Sequence, residues 1–186
     1  MALKLGLNLG YWGIGPQGDE AVGYVQTAER AGYDSVWAAE SYGSDAVSVL
    51  AYLAGKTETI QLGAAILQVP ARQPAAAAMA GATIDALSGG RFELGLGSQV
   101  RGNVEGRFGV AWSAPVPRLR EYVRALRAIW ACWQDGTPLD FAGEHYRFAR
   151  MQPFFDPGPI EHPAIRIALG AVGPAMTRLA GEVADV

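Results

Sequence analysis

The stretch Leu87-Ser-Gly-Gly-Arg-Phe-Glu-Leu-Gly-Leu-Gly97 joins the end of a helix directly to the start of a buried strand. Before it, residues 74–87 are rich in alanine and carry Pro74 in the first helical turn. The Ser-Gly-Gly segment then ends the helix, and residues 91–97 form a short apolar run typical of a fully buried strand. A helix that leads at once into such a strand predicts a parallel sheet covered by helices.

The same alternation extends in both directions from this stretch. Short apolar runs at residues 3–10, 35–39, 60–69 and 165–169 predict four more strands. Amphipathic or alanine-rich segments predict helices at 19–31, 44–54, 74–90, 116–133 and 174–183. The chain is therefore of the α/β class, with five β/α units in one domain that spans residues 1–186.

One segment departs from this rhythm. Residues 137–148 place Leu139, Phe141, Tyr146 and Phe148 around Gly143, a pattern typical of a short hairpin. We interpret residues 137–150, approximately, as an excursion outside the main sheet.

Two architectures fit the alternation, a doubly wound open sheet and a β/α barrel, and a complete barrel needs roughly 250 residues. The first glycine-rich turn, Gly10-Tyr-Trp-Gly-Ile-Gly-Pro-Gln-Gly18, lacks the G-x-G-x-x-G spacing of a dinucleotide-binding loop. Gly95-Leu-Gly97 resembles half of that fingerprint, but we expect irregular sequence after it rather than a helix. A nicotinamide site stays an alternative there, and close packing of strands by glycine is the other interpretation.

Composition excludes several classes of partner. The 186 residues carry 15 Lys and Arg against 18 Asp and Glu, without a long run of like charge, so no basic surface for nucleic acid is expected. No apolar stretch approaches the roughly 18 residues of a membrane span. The absence of a secretory signal pattern after Met1 favours the cytoplasm. The single cysteine, Cys132, excludes an internal disulfide and suits a buried thiol.

Several motifs together carry a family resemblance: Gly32-Tyr-Asp-Ser-Val-Trp37 with Glu40 shortly after, Leu62-Gly-Ala-Ala-Ile-Leu67, the stretch Leu87 to Gly97, and Gly170-Ala-Val-Gly-Pro174. In this order and spacing the chain resembles the bacterial luciferase-like superfamily of flavin- and deazaflavin-dependent oxidoreductases. The resemblance covers essentially the whole chain and implies a (β/α)8 TIM barrel with an extra hairpin after the fourth helix. Because its members are much longer, it implies a barrel truncated after about five β/α units, with strands six to eight outside this sequence.

Three segments look most like the branch of the superfamily that uses the deazaflavin coenzyme F420. They are Leu7-Asn-Leu-Gly-Tyr-Trp-Gly13, Glu40-Ser-Tyr-Gly-Ser-Asp45 and Ile66-Leu-Gln-Val-Pro-Ala-Arg72. This likeness implies hydride transfer between coenzyme F420 and a small organic substrate, with the protein orienting the reactive carbon of the ring. Two alternatives stay open: an FMN-dependent monooxygenase on the same fold, and a catalytically incomplete fragment that needs a partner. The full-length form is expected to be a homo-oligomer.

The resemblance assigns catalytic candidates to the end of the second strand. Glu40 matches an acidic position of the family, and Ser41 stands where deazaflavin-dependent dehydrogenases carry a catalytic histidine. The other interpretation of Glu40 is a cap of the next helix at its positive end. His145 and His162 lie in the hairpin and before the fifth strand, so no histidine base is evident.

The resemblance also implies a coenzyme cradle at the ends of the third, fourth and fifth strands. After the third strand, the Ala65-Ile66 bond matches a non-prolyl cis peptide that supports the ring, and Gln68 faces its polar edge. The position where some dehydrogenases keep a glutamate is Val100, and Glu105 is either its substitute or a solvated surface carboxylate. The remaining cradle candidates are Ser98, Gln99 and Asn103 after the fourth strand, and Gly170, Ala171, Val172 and Gly173 after the fifth. No metal site is expected.

Overall fold

The computed structural model describes residues 3–161 and 165–186. Its strands are β1 (Gly6–Tyr11), β2 (Ser35–Ala39), β3 (Gln61–Ala64), β4 (Leu67–Gln68), β5 (Phe92–Gly97), β6 (Phe141–Ala142), β7 (Arg147–Phe148) and β8 (Arg166–Leu169). Its helices are α1 (Gly18–Arg30), α2 (Ala46–Ala54), α3 (Pro74–Ser88), α4 (Arg101–Phe108), α5 (Pro115–Asp135) and α6 (Pro174–Val183).

The order of the strands distinguishes the two architectures that the sequence left open. Strand β1 pairs with β2, β2 with β3, β3 with β5 and β5 with β8, and all of these pairs are parallel. Each new strand is thus added on the same side of the previous one. A doubly wound sheet reverses direction at a switch point, whereas a β/α barrel does not. The predicted barrel architecture with five β/α units is confirmed.

Helices cover one face of the sheet, and the residues on the two faces differ accordingly. Alternate residues of the strands bury aliphatic side chains against α1, α2, α3, α5 and α6, among them Val36, Ala38, Leu62, Leu94 and Ile167. The opposite face carries small and polar residues. There the Trp37 ring lies over Gly63, where an added Cβ would be 2.3 Å from a ring carbon. This second face corresponds to the interior of a barrel.

The helix boundaries follow from local chemistry that the sequence displays. Asp45 caps α2, since its side chain accepts a hydrogen bond from the Ser48 N–H at 2.9 Å. Pro74 opens α3, and Gly89 ends it in the left-handed conformation with φ of 64°. Observed and predicted limits of the five expected helices differ by a few residues at most.

The third apolar run differs from an unbroken strand at the place that the resemblance marked, and one local prediction, the loop after β5, was wrong. The strand expected over residues 60–69 is divided into β3 and β4 by a bulge at Ala65 and Ile66, and the chain then forms a short 3-10 turn at Val69–Ala71. The irregular loop expected after β5 contains the helix α4, in which only Val104 is buried. A helix held by one buried side chain has little of the apolar periodicity that sequence reasoning detects.

The hairpin of β6 and β7 is fastened to α5 by one carboxylate. Glu121 accepts hydrogen bonds from the backbone N–H groups of Glu144, His145 and Tyr146, the shortest at 2.6 Å. The next residue, Tyr122, packs its ring edge-on against Tyr146 with 5.7 Å between the ring centroids. The hairpin therefore lies against the outer helix layer.

Candidate active site

The candidate residues of the sequence analysis lie along the rim formed by the carboxyl ends of the parallel strands. Glu40 and Ser41 follow β2, Ala65 and Ile66 separate β3 from β4, and Gln68 ends β4. Ser98 and Gln99 follow β5, and Gly170 to Gly173 follow β8. Since all five strand ends point the same way, the fold brings these segments to one edge, where β/α barrels carry their active sites.

The Glu40 carboxylate is fixed by hydrogen-bond donors on β4 and just after the turn that follows β4. Oε1 accepts a hydrogen bond from the Arg72 guanidinium at 2.5 Å, and Oε2 accepts one from the Gln68 backbone N–H at 2.8 Å. The residue is 9% exposed and lines the cleft described below. The helix cap that was the other interpretation of Glu40 is provided by Asp45 instead. Glu40 thus joins β2 to β4 as an oriented hydrogen-bond acceptor.

Arg72 is the centre of this arrangement. Its Nη2 contacts both Glu40 and Asp45. Burial by itself would lower the pKa of the guanidinium, but the two carboxylates outweigh it and hold that pKa above its usual value. The Arg72 backbone carbonyl accepts a hydrogen bond from the buried Tyr122 hydroxyl at 3.1 Å. Burial is also the main reason why the pKa of Tyr122 is raised, so this hydroxyl stays protonated and donates.

The Gln68 side chain is oriented by Glu40, the same residue that accepts a hydrogen bond from the Gln68 backbone N–H. Its side-chain NH₂ donates to the Glu40 backbone carbonyl at 3.0 Å, which fixes the amide with its oxygen on the other side. Gln68 is 2% exposed, and Oε1 has no hydrogen-bond partner in the described part of the chain. A buried acceptor without a partner is uncommon and suits a ligand that donates an N–H or O–H group.

An open cleft of about 490 Å³ lies beside Glu40. Ser41 reaches it from a small turn in which the Ser41 and Ser44 backbones exchange two hydrogen bonds of 3.0 Å. The Ser44 hydroxyl accepts from the Trp12 backbone N–H at 2.8 Å, which ties the end of β1 to this turn. The cleft is lined by Glu40, Ser41, Tyr42, Gly43, Ser44, Asp45, Gln68, Ala71 and Phe108.

The bulge between β3 and β4 rests on glycines of the neighbouring strands. The Ala65-Ile66 peptide bond is cis, as predicted, and Ala65 is exposed at the rim. An added Cβ on Gly97 would lie 2.5 Å from the Ile66 side chain, and one on Gly170 would lie 3.2 Å from it. On Gly95 the added atom would lie 1.7 Å from the Ala64 carbonyl oxygen.

These contacts decide the meaning of the half fingerprint Gly95-Leu-Gly97. The space that its glycines leave is occupied by Ile66 and by the backbone of β3, so it is not available to a pyrophosphate. The interpretation as close strand packing is confirmed, and the alternative of a nicotinamide site at these glycines is wrong.

The turn after β5 holds its three candidate residues together. Gln99 adopts the left-handed conformation with φ of 61°, which is uncommon for a residue other than glycine. Its side-chain oxygen accepts a hydrogen bond from Asn103 at 2.9 Å, and the Ser98 hydroxyl lies 3.4 Å from the Gln99 carbonyl oxygen. Val100 and Glu105 are exposed, and Glu105 forms a surface ion pair with Arg101. Glu105 is therefore a solvated surface carboxylate.

The segment after β8 is open to solvent. Gly170 donates its N–H to the Leu96 carbonyl at 2.8 Å, which joins it to β5. Ala171 is half-buried, Val172 is 93% exposed, and Gly173 has a φ of 82° before Pro174 starts α6. No side chain caps this helix, so its first N–H groups are accessible to an anion or a carbonyl oxygen.

The structure therefore forms three groups from the predicted residues: Glu40 with Gln68, Gln99 with Ser98 and Asn103, and Ile66 with Gly170. Sequence reasoning missed Arg72 and Tyr122 as parts of the site. The signal for Arg72 was a single arginine at the end of an otherwise apolar motif. His145 is half-buried in the hairpin away from the rim, and His162 lies outside the described residues.

Two searches of the described residues gave negative results. In residues 3–161 and 165–186, no three His, Cys, Asp or Glu side chains are grouped so that they could hold a metal ion. Every helix that the structure describes is too short or too polar to cross a lipid bilayer.

Comparison with known proteins agrees with this geometry. The chain is 43% identical, over an alignment of 195 positions, to a Mycobacterium tuberculosis protein provisionally named a coenzyme F420-dependent oxidoreductase. That alignment covers 98% of this chain and 54% of the relative. The chain thus spans about half the length of the curated relatives it matches.

Two solved structures share the fold. An F420-dependent secondary alcohol dehydrogenase, solved with an F420–acetone adduct, matches with a TM-score of 0.81 at 19% identity and covers 100% of this chain and 57% of its own. The oxygenating constituent of 3,6-diketocamphane monooxygenase from Pseudomonas putida, solved with FMN, matches with a TM-score of 0.77 at 20% identity. That alignment covers 98% of this chain and 56% of the monooxygenase.

Residues 8–186 match the family described as luciferase-like monooxygenases. This match includes every candidate residue of the rim and the six strands of the parallel sheet, except the first two residues of β1. The chain therefore belongs to the luciferase-like monooxygenase family of enzymes.

Proposed function

We propose that the protein carrying this chain is an oxidoreductase that transfers a hydride between coenzyme F420 and a small organic substrate. The observation that carries the proposal is the fixed polar edge of the rim. There the buried Gln68 oxygen, without a partner in the described residues, and the oriented Glu40 carboxylate lie next to the exposed Ala65. This combination offers hydrogen-bond acceptors along one side of a surface that a planar ring could cover.

The other rim residues fit a ring with a polar edge and an anionic tail. Ala65 is small and exposed, and Ile66 beneath it is supported by Gly97 and Gly170. Ser98, Gln99 and Asn103 would border the ring on the β5 side. Gly170 to Gly173, before the uncapped N-terminus of α6, would receive a phosphate or a ring carbonyl. When bound, a deazaflavin supplies a carbon that accepts or donates a hydride.

Glu40 and Ser41 would have different roles in this site. The Glu40 carboxylate already accepts two hydrogen bonds from Arg72 and Gln68, which suits a fixed acceptor better than a group that exchanges protons. The Ser41 hydroxyl has no hydrogen bond to the residues that the structure describes, and Ser41 lines the cleft. We assign Ser41 the contact with a substrate oxygen, in place of the histidine of related dehydrogenases.

The relative that is 43% identical supports F420 over FMN, because its name specifies the deazaflavin. We extend the proposal to a homo-oligomer in the cytoplasm that acts on small molecules and binds no nucleic acid, in line with the net charge of -3. A form that needs a separate partner to complete the barrel is the second candidate. The observation that favours it is that β1 and β8 each pair with one strand only among the described residues.

The test is an anaerobic titration of the full protein with oxidised F420 and, separately, with FMN, followed by coenzyme fluorescence. We expect saturable binding of F420, and reduction of bound F420 by an organic hydride donor without consumption of oxygen. Oxygen-dependent product formation with reduced FMN would contradict the proposal and favour the monooxygenase. Binding that appears only after addition of a separately expressed C-terminal barrel half would favour the second candidate.

A further inference from the structure

Arg72 connects the candidate coenzyme cleft with helix α5 and, through α5, with the hairpin. On one side its guanidinium contacts Glu40 and Asp45. On the other, its backbone carbonyl accepts the Tyr122 hydroxyl at 3.1 Å. Tyr122 lies on α5 and packs against Tyr146 of the hairpin. Continuous contacts therefore run from the hairpin, through α5 and Arg72, to Glu40.

The geometry of Glu40 depends on this one cation. The carboxylate is nearly buried, and its two oxygens meet donors from two different places, Arg72 and the Gln68 backbone. Hydrogen bonds to charged groups of this kind are stronger than those between neutral groups. Without the guanidinium, Glu40 would keep only the Gln68 N–H and could rotate toward the open cleft. The orientation of Gln68 is coupled to Glu40, since its side-chain amide bonds to the Glu40 carbonyl.

The charged and titratable groups around Glu40 come from three separate parts of the chain. Arg72 follows the 3-10 turn after β4, Asp45 caps α2, and Tyr122 projects from α5. Burial is the largest single influence on Asp45 and would raise its pKa, but the hydrogen bonds from Ser48 together with Arg72 outweigh burial and hold that pKa below its usual value. Asp45 therefore stays an anion beside Arg72, and the guanidinium bridges two carboxylates.

We propose that Arg72 is a positioning residue of the coenzyme cleft, which acts through Glu40 and is itself held in place by Tyr122. This inference rests on the proposed function and goes beyond it, because the family resemblance assigns no role to Arg72 or to the hairpin. A single nitrogen, Nη2, contacts both carboxylates, so the ammonium of a lysine reproduces these contacts in part. The hairpin thus supports the cleft from outside the barrel.

The test is a double-mutant cycle on coenzyme affinity with the variants Arg72→Gln, Glu40→Gln and the pair combined. We expect Arg72→Gln to weaken F420 binding by about tenfold to a hundredfold, the equivalent of one charged hydrogen bond. If Arg72 acts through Glu40, the combined variant binds no more weakly than Glu40→Gln alone. Arg72→Lys should recover part of the affinity, and Tyr122→Phe should cost about twofold to fivefold, as expected for a neutral hydrogen bond.

Arg101→Gln is the matched control, because it removes an arginine from an exposed ion pair on α4. It should leave coenzyme affinity unchanged. If Arg72→Gln lowers the melting temperature but leaves affinity as in the control, the ion pair is merely structural and the proposal is overturned. Additive losses in the combined variant would overturn it as well.

A measurement without ligand separates this inference from the proposed function. Amide hydrogen exchange of the Gln68 N–H, which donates to Glu40, should be about tenfold faster in Arg72→Gln than in the parent protein. If the parent protein binds neither F420 nor FMN, the proposed function is wrong. If, in addition, the Gln68 N–H exchanges equally fast in Arg72→Gln and in the parent protein, the positioning role is refuted too. Faster exchange would retain the positioning of Glu40 for whatever ligand the cleft takes.

Discussion

Each end of the sheet buries a glutamate carboxylate beside an arginine, but the two carboxylates differ in whether both oxygens accept a hydrogen bond. At the carboxyl end, Glu40 has a donor for each oxygen, Arg72 and the Gln68 N–H. Further toward the amino end, on the inner face, Glu93 has Arg166 at 2.6 Å, while its Oε1 is buried without a partner in the described residues. Burial raises the pKa of Glu93 even though Arg166 opposes this shift.

The difference shows which carboxylate is held in one orientation. A carboxylate with a donor for each oxygen has a fixed position, whereas a buried carboxylate that lacks one donor is easier to protonate. Glu40 is part of an arrangement that orients other groups. Glu93 is part of the inner packing, and its site loses stability when it ionises.

The largest expected effect concerns the support of the bulge at the carboxyl end. Gly95→Ala places a Cβ 1.7 Å from the Ala64 carbonyl oxygen, which is backbone and cannot rotate away. We expect a loss of about 3 kcal/mol in the free energy of unfolding, measured by denaturant titration. A variant as stable as the parent would mean that β3 and β5 can separate at the bulge, and would remove the basis for a fixed rim.

The next effect compares the two carboxylates directly. Glu40→Gln keeps one acceptor oxygen but points an NH₂ group at one of two donors, so we expect a loss of about 1–3 kcal/mol. Glu93→Gln replaces a carboxylate that lacks one partner, and Arg166 keeps its contact with Gln61 at 3.1 Å. Its cost should stay within about 1 kcal/mol. Equal losses in the two variants would contradict the distinction between the carboxylates.

The pH dependence sharpens the same comparison. Because burial raises the pKa of Glu93, the folded protein binds this proton more tightly than the unfolded chain. The stability from this group is therefore fully present below the ordinary pKa of glutamate and is lost as pH rises through the raised value. Thermal melting across weakly acidic pH should show this decline in the parent protein, and Glu93→Gln should flatten it. A decline that persists in Glu93→Gln would assign it to another group.

The smallest expected effect lies in α4, away from both carboxylates. Gly106 is helical, and an added Cβ would meet nothing within 4 Å. Gly106→Ala should therefore stabilise the protein by about 0.5–1 kcal/mol, because alanine restricts the unfolded chain. Destabilisation in the same denaturant titration would show that α4 packs more tightly than its exposed surface indicates.

Much of the fold was predictable because the determinants are local. Apolar runs bounded by glycine indicated the strands, and Pro74 and Gly89 marked the ends of α3 within a few residues. The helix α4 was missed because a single buried residue, Val104, leaves no periodic pattern. The division of the third strand was marked by the resemblance at Ala65 and Ile66 but not by hydropathy, since both halves are apolar.

The candidate site divides along a similar line. The residues after each strand could be placed at one edge because parallel strands end there, and the family resemblance singled out Glu40, Gln68 and Gln99 among them. Arg72 and Tyr122 were not, because each contributes through a partner distant in sequence. Tyr122 meets Arg72 across 50 residues, and Arg72 meets Glu40 across 32.

By itself the sequence determined the class of the fold, the number of β/α units and the segments that form the rim, because hydrophobic periodicity and chain-order pairing act over short distances. Only the tertiary structure decided what the glycines of β5 do and how Glu40 is held. Both depend on which atoms the barrel brings within contact distance: Ile66 over Gly97, and the Arg72 guanidinium against a nearly buried carboxylate.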